Sequence, residues 1–379
     1  MYRLGYVSFF TDFSSEMVLS ILPVYILSLP GGSIATLGFI EGIAESLSYI
    51  LRAVSGVMSD KFRKRKMFIL IGYGVSNVAK PFFAATTTVA QALAIRVIDR
   101  VGKGIRTAPR DALISDSVSF NQQGAAFGLH RTLDQLGAIV GPLTATLVMV
   151  WFGWDAKGVF WLSLLPGTIA LIVIVFGVRE IISSGPREFK FLVGLKNILK
   201  GNFLLLLIVV GLFSLGAFNF SFILLNAKEM GVSDALIPIV YAVVNVAHTI
   251  IAIPSGRLSD KIGKGKVLLM GYVAFLATAV LLAVSPSAVL SAYFIAAVFG
   301  VYQGTVETVQ RAMIPSYIDS SLRGTAYGVY YMVVGTCFFF ANSIVGTLWE
   351  TQGLLYSSIY SGALALVAII GLYLLNNRK

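Results

Sequence analysis

Charge is scarce in this chain. Of its 379 residues only 12% are charged, while 57% are hydrophobic, against roughly a quarter charged in a soluble domain. That shortage excludes a soluble basic nucleic-acid binder, even at a formal net charge of +11, because such a protein sets its Lys and Arg on a solvated polar surface. A mean hydropathy of +0.83 excludes disorder, which needs low hydrophobicity. The one cysteine, Cys337, allows no internal disulfide, and the two histidines, His130 and His248, stand far apart. They supply no zinc ligand set of the usual kind. No G-x-x-x-x-G-K-[ST] run argues for an ATP-driven pump, and Gly102-x-Gly104 runs into Ile105-Arg106-Thr107 with no strand before it, which is no dinucleotide site. No metal, cofactor or nucleic-acid partner is expected. What remains is a polytopic membrane protein, with the lipid bilayer as its solvent.

A membrane helix needs about 20 mostly apolar residues. The chain offers twelve such spans, near 4–29, 35–58, 67–87, 89–115, 122–150, 157–178, 202–226, 235–258, 267–285, 288–316, 323–349 and 353–376. The first apolar stretch continues for a full span, so no cleavable signal is expected. Residues 179–201 form the one long connection, where Phe191, Leu192, Leu195, Ile198 and Leu199 share a helical face opposite Lys196 and Lys200. That pattern predicts an amphipathic helix lying on the membrane surface. With the N-terminus placed inside, 18 of the 29 Lys and Arg residues fall in cytoplasmic segments, two (Lys157 and Lys228) outside, and nine within spans. The bias predicts that both termini are cytoplasmic. Most of the +11 is therefore a topology signal.

An offset of 200 residues brings the halves into register. Gly56-x-x-x-Asp60-Lys61 matches Gly256-x-x-x-Asp260-Lys261, Gly124-x-x-x-Gly128 matches Gly324-x-x-x-Gly328, and Gly104 matches Gly304. Arg110 pairs with Arg311 after one residue of slippage. The expected architecture is all-α: an N-terminal six-helix bundle over 1–178, a cytoplasmic linker over 179–201, and a C-terminal six-helix bundle in the same orientation over 202–379. Parallel halves about an axis normal to the membrane are a transporter arrangement with a midplane site.

The runs Gly56-Val-Met-Ser-Asp60-Lys61-Phe-Arg63-Lys64-Arg65-Lys66 and Gly256-Arg-Leu-Ser-Asp260-Lys261-Ile-Gly263-Lys264 resemble the loop signatures of the major facilitator superfamily. The first copy departs from the pattern at Arg63, where a glycine is usual. Gly137-Ala-Ile-Val-Gly141-Pro142 is similar to the fifth-span signature of antiporters in that superfamily. The fourth span, Asp99-Arg100-Val-Gly-Lys103-Gly-Ile-Arg106-Thr-Ala-Pro-Arg110-Asp111-Ala-Leu, resembles a poorly characterised prokaryotic branch with twelve helices. The resemblance implies a monomeric secondary transporter of a prokaryotic cytoplasmic membrane, not an enzyme, working by alternating access. It also implies a conformational latch made by Gly56, Asp60, Lys61, Gly256, Asp260 and Lys261. In it Asp60 faces the start of the eleventh helix and Asp260 the start of the fifth, each favoured by the helix dipole. The alternative for these residues is a solvated topology loop.

The nine charges that ignore topology carry the rest of the information, because burial of charge in lipid is costly. Eight of these cations lie in the first half (Arg52, Lys80, Arg96, Arg100, Lys103, Arg106, Arg110 and Arg131), against Arg311 in the second. The acids Asp12, Glu16, Glu41, Glu45, Asp99 and Asp134 stand against Glu307 alone. Glu41, Glu45 and Arg52 fall within about 40° of one another on their helix. Arg96, Arg100, Lys103 and Arg110 make a stripe with Asp99 and Arg106 at its edge. Glu16, Glu45, Arg100 and Asp134 come out at one depth, near the bilayer middle, which predicts a buried ion-pair network. Such a network either locks the bundle together or carries coupling protons. In the second case Glu16, Glu45 and Asp134 are the candidates, since a neighbouring cation sets a buried carboxylate's proton affinity.

By the resemblance, helices 1, 4, 7 and 10 line the cavity. That nominates Asp12 and Glu16, then Arg96, Asp99, Arg100 and Lys103, then Asn219, and then Gln303 and Glu307. The cations suit an anionic substrate group, while the nearby acids leave a zwitterion or a cation open. Gly137-x-x-x-Gly141 permits close packing, with His130 one turn before Asp134. Tyr327, Tyr330 and Tyr331 either wall the cavity or pack. The leading expectation is proton-coupled export of a small organic compound; the alternative is proton-coupled uptake of an anionic or zwitterionic nutrient. A membrane receptor, enzyme or channel finds less support, because no nucleophile–base pair or metal cluster accompanies the near-symmetric halves.

Overall fold

The computed structural model describes residues 2–62, 64–118, 123–180, 198–318 and 323–377. Every regular element among them is helical. Eleven stretches are long and apolar enough to cross a membrane. The expected fourth span is also a helix, Val89–Asp116, of 28 residues and about 42 Å, but its charges keep it out of that set by composition. The amphipathic linker helix falls largely on residues 181–197, outside the described residues.

Proline and glycine interrupt several spans without interrupting their hydropathy. The first span divides into α1 (Tyr2–Leu19) and α2 (Leu22–Ser28), because Pro23 offers no N–H and its ring crowds the preceding turn. The Ser20 hydroxyl donates to the Met17 carbonyl at the break, 2.8 Å away. Then come α3 (Ile34–Phe62) and α4 (Arg65–Ala79), the latter tightening into a 3-10 segment at Lys80–Ala85 that opens Lys80-Pro81. Next are α5 (Val89–Asp116), α6 (Gln123–Trp151), α7 (Ala156–Leu162) and α8 (Leu164–Ile172). The seventh span breaks between α9 (Gly201–Gly216) and α10 (Phe220–Glu229), where Asn219 caps the second piece by accepting from Ser221 N at 2.9 Å. The remaining helices are α11 (Ile237–Ile262), α12 (Lys264–Val284), α13 (Val289–Met313), α14 (Arg323–Gln352) and α15 (Leu354–Asn377).

Two compact units result. The first holds 1–32, 43–188 and 233–242; the second holds 33–42, 189–232 and 243–379. In unit 1, α1 packs along α6 and α8, and α4 along α5; in unit 2, α9 packs along α14 and α15, and α12 along α13. A cluster of Leu4, Val7, Ile69, Tyr73, Leu113, Ile114, Ala170, Ile174 and Val178 closes one end of unit 1.

The 200-residue repeat is written into these contacts. A Cβ at Gly104 would strike Leu51 and Ser48, and one at Gly304 would strike Ile251 and His248. Gly56 faces Ala108, and Gly256 faces Thr308. Each pair of partners differs by 200 in number, so the glycines seen to recur in the sequence recur because each unit brings the same two helices together.

Candidate functional site

The charges of unit 1 sort into an enclosed ladder and a half-buried face. Arg96, Asp99 and Arg100 on α5 are all buried. Asp99 Oδ2 accepts from Arg100 Nε at 3.0 Å and Arg96 Nη1 at 3.3 Å, its Oδ1 accepts from Ser76 on α4, and Arg100 Nη1 reaches Glu45 Oε1 on α3 at 2.9 Å. A buried network is built on one turn of α5, but of the four residues expected in it only Glu45 and Arg100 pair there; Asp134 pairs with Arg131 and Glu16 meets Tyr241. Charge-assisted bonds of this kind are shorter and stronger than neutral ones. Arg106, at the stripe's edge, turns away to lie over the Tyr73 ring at 4.4 Å. Arg110 pairs with the neighbouring Asp111 at 2.8 Å.

Lys80 is a member the sequence placed in the membrane without a partner to name. It is buried, and its Nζ donates to Ser14 Oγ at 2.6 Å and Ser15 Oγ at 3.2 Å on α1. No carboxylate among the described residues lies within ion-pair distance of it. Serines are silent in a hydropathy profile, and only their i, i+1 spacing opposite a lone span lysine offered a clue.

The half-buried face carries Asp12 and Glu16 on α1, Glu45 and Arg52 on α3, Lys103 on α5 and Asp134 on α6. Asp134 accepts from Arg131 Nη1 at 3.1 Å and from Ser8, and its carboxyl meets that of Asp12. Glu16 meets the Tyr241 hydroxyl, while its Oε2 is enclosed with no partner. His130 is buried beside Arg110, Asp111, Arg131 and Asp134, and its Nε2 also has none among the described residues.

Gly137 and Gly141 bring α6 against the backbone of α1. A Cβ on Gly137 would enter the Phe9 carbonyl, and one on Gly141 would lie 2.7 Å from the Phe13 carbonyl. The helix runs on through Pro142.

In unit 2 the nominated residues are differently employed. Asn219, besides capping α10, donates its backbone N–H to Asn342 Oδ1 at 2.8 Å and its side-chain Nδ2 to Glu41 Oε2 at 3.3 Å. Gln303 and Glu307 are half-buried on α13, the Glu307 carbonyl accepting from Arg311 Nε at 3.1 Å. Sequence reasoning passed over Gln310, which donates to Tyr272 and accepts from Tyr330, each at 3.0 Å. With Tyr327 donating to the Arg311 carbonyl at 3.3 Å and Tyr331 meeting the Arg311 side chain, all three tyrosines of α14 tie it to α13.

Of the expected latch residues, Asp260 and Lys261 are exposed near the end of α11. Gly263 follows them at φ +98°, a left-handed conformation that glycine adopts without strain. The side chains of Asp60 and Lys61, and Arg63, which stands where a glycine is usual, lie outside the described residues.

Offset by 200 residues, unit 2 holds Phe299 where unit 1 holds Asp99, Ala296 for Arg96, Gly300 for Arg100 and Asn245 for Glu45. Phe299 stacks on Phe218 at 5.9 Å and meets Tyr302 edge-on at 5.2 Å. Phe275 packs on Phe213, Phe218 and Tyr302. The same helix pairing is filled by charge in one unit and by aromatic rings in the other.

Comparison with known proteins agrees with this architecture. An uncharacterised MFS-type transporter of Methanocaldococcus jannaschii is 34% identical over 381 residues, covering 99% of this chain and 94% of that protein. The multidrug resistance protein MdtG of Yersinia enterocolitica is 25% identical over 290 residues, 72% of this chain and 67% of its own. Among solved structures, a variant of the nucleoside transporter NupG superposes with a TM-score of 0.82 at 13% identity, over 99% of each chain, a likeness of fold alone. The family model of the Major Facilitator Superfamily matches residues 4–342, and with a helical fold and a transporter relative along nearly its whole length, the chain belongs to that superfamily as a multi-pass membrane protein and secondary transporter.

Proposed function

We propose that the protein has twelve spans in two parallel six-helix bundles, with both termini cytoplasmic, and exports a small organic compound in exchange for protons by alternating access. The comparison between the two units is what carries the reading. At the positions equivalent to Arg96, Asp99 and Arg100, α13 carries Ala296, Phe299 and Gly300 and packs Phe299 on aromatic rings, so the equivalent turn of α5 does not need its charges in order to pack. Buried ion pairs are often no more stable than apolar groups of the same volume. Charge kept in one unit and absent from the other is therefore no requirement of packing; here it braces the half-buried face on which the coupling carboxylates stand.

Coupling falls to Asp134, Glu16 and Glu45. An ionised carboxylate only accepts hydrogen bonds, so the contact between Asp12 and Asp134 holds one proton between them. Movement that lets Arg131 claim Asp134 more closely would release it. Glu45, already paired with Arg100 at 2.9 Å, binds a proton when that pair opens. The latch residues Asp60 and Asp260 alternate with these events at the cytoplasmic face.

Export as the direction is supported by Gly137-x-x-x-Gly141-Pro142 and by the relative whose name is that of a multidrug resistance protein. The test begins with a thermal-shift ligand screen on purified protein, followed by flux of the hits in proteoliposomes under an imposed pH gradient. Uphill movement driven by that gradient is expected, and its absence for every hit refutes the coupling. In cells, loss of the protein raises accumulation of the exported compound; lowered accumulation would instead support uptake of a nutrient.

A further inference from the structure

Two cations on the half-buried face of unit 1 are claimed by no carboxylate. Arg52 on α3 lays its guanidinium over the Tyr49 ring at 4.6 Å, and its Nε is enclosed without a hydrogen-bond partner among the described residues. Lys103 on α5 has neither an ion pair nor a side-chain hydrogen bond among those residues; its neighbour Gly104 packs on Leu51, next to Arg52, and Arg52, Glu45 and Glu16 all lie within its electrostatic reach. The nearby acids are committed elsewhere: Glu45 to Arg100 and Asp134 to Arg131, with Asp12 in contact with Asp134. Glu16 is the exception, since it meets Tyr241 but keeps Oε2 unpartnered.

Two like charges held near each other inside a membrane span repel, and each has lost hydration. An anion arriving between them relieves both costs. Arg52 is suited to receive it, because stacking on Tyr49 occupies the face of the guanidinium and leaves the N–H edge for a planar acceptor. Lys103 adds a point charge. Glu16 Oε2 offers the complementary acceptor on the same face.

We propose that Arg52 and Lys103 bind the anionic group of the substrate, a carboxylate or phosphate, and that Glu16 Oε2 receives an ammonium or N–H donor of the same molecule. This inference rests on the transporter reading above and narrows its substrate to compounds carrying both groups. It does not depend on proton coupling. The ladder of Arg96, Asp99 and Arg100 stays closed behind this site as its support.

The test is thermal unfolding of the purified full-length protein with minimal probes: glycine, acetate, inorganic phosphate and methylammonium chloride, with sodium chloride matching ionic strength. Glycine raises Tm most, acetate and phosphate raise it less, and methylammonium does no more than sodium chloride. Arg52→Gln and Lys103→Gln each weaken the apparent affinity for acetate and phosphate by ~10–100-fold, the scale of a lost hydrogen bond to a charged group. Glu16→Gln reduces the gain from glycine to that from acetate and leaves acetate unchanged. Arg52→Lys, which keeps the charge and removes the fork, serves if the glutamine variant fails to fold, and it weakens phosphate binding in the same direction. No gain over sodium chloride from glycine, acetate and phosphate overturns the proposal, as do equal gains in wild type and variants. Failure of pH-driven flux with these gains intact would remove the coupling mechanism alone.

Discussion

Replacing Asp99 with Asn tests whether the enclosed ladder has the strength its geometry implies. Asp99 is the central anion, accepting from Arg96 at 3.3 Å, Arg100 at 3.0 Å and Ser76. The amide keeps the shape and the Ser76 bond but removes the negative charge. Arg100 retains Glu45 at 2.9 Å, whereas Arg96, with no exposed surface at all, loses its carboxylate. Leaving one partner of a buried pair uncompensated costs about 3–5 kcal/mol. An unfolding entropy of about 2.1 cal/mol/K per residue makes this a fall in Tm of about 4–6 °C for a chain of this length. Glu45→Gln is the control. It strips Arg100 of one of two carboxylates at a partly exposed position, so a cost of about 1–2 kcal/mol lowers Tm by only about 1–3 °C. Melting of the purified variants in one detergent, followed by tryptophan fluorescence, gives the comparison. Equal shifts for the two variants, or none for Asp99→Asn, would refute the account of the ladder as a closed charge set centred on Asp99.

Three further substitutions address other parts of the framework. Gly137→Val pushes a side chain into the Phe9 carbonyl and is expected to cost at least about 1–3 kcal/mol, seen as reduced yield of monodisperse protein; Gly128→Ala, where nothing lies within 4 Å, leaves it unchanged. Asn219→Ala removes the cap of α10 and the bond to Glu41, for a loss of about 1–2 kcal/mol, whereas Asn219→Asp keeps the cap but sets a carboxylate beside Glu41; the two are separated by following their melting against pH. Lys80→Met keeps the length of the side chain and discards a charge that, among the described residues, is held by the hydroxyls of Ser14 and Ser15, so stability stays level or rises by up to about 1–4 kcal/mol; a clear drop in Tm would show that the ammonium is needed to hold α4 to α1.

Much of this was legible because periodicity and repetition survive folding unchanged. The 200-residue offset, read from four glycine landmarks, returned as matched contacts of Gly104 with Ser48 and Gly304 with His248. The angular arithmetic on α5 put Arg96 and Arg100 on one stripe with Asp99 at its edge, and these three meet, whereas Lys103 and Arg110 of the same stripe do not join them. Angles on one helix cannot choose a partner on another. Glu41 and Glu45 share a face within about 40°, yet Glu45 pairs with Arg100 and Glu41 with Asn219, because residues 34–42 of α3 belong to unit 2 and the rest to unit 1. Arg106 left its stripe for Tyr73 for a similar reason: a ring on a neighbouring helix has no signature in the spacing of α5. The breaks at Ser20–Ile21 and Ala217–Asn219 were hidden by hydropathy, which stays high through both, although Pro23 and Asn219 were visible as residues that end or begin helices.

The division of the charges into two layers gives them different work. In the enclosed layer Asp99 is held by Arg96 at 3.3 Å and Arg100 at 3.0 Å, and Arg100 reaches out to Glu45 of the half-buried face at 2.9 Å, so opening it exposes several ions at once. Such a set is stiff and suits holding α3, α4 and α5 at fixed separation. In the half-buried layer the matching is incomplete: Arg52 and Glu16 each keep an atom without a partner, and Asp12 and Asp134 share their contact with each other. Partial exposure lowers the cost of a change in charge there, because solvent or a substrate can take the place of a missing partner. The proposed exchange of protons and recognition of substrate are therefore expected of the outer layer. The inner one fixes its geometry, and a substitution that destabilises without altering the binding of small anions is the mark of the inner layer.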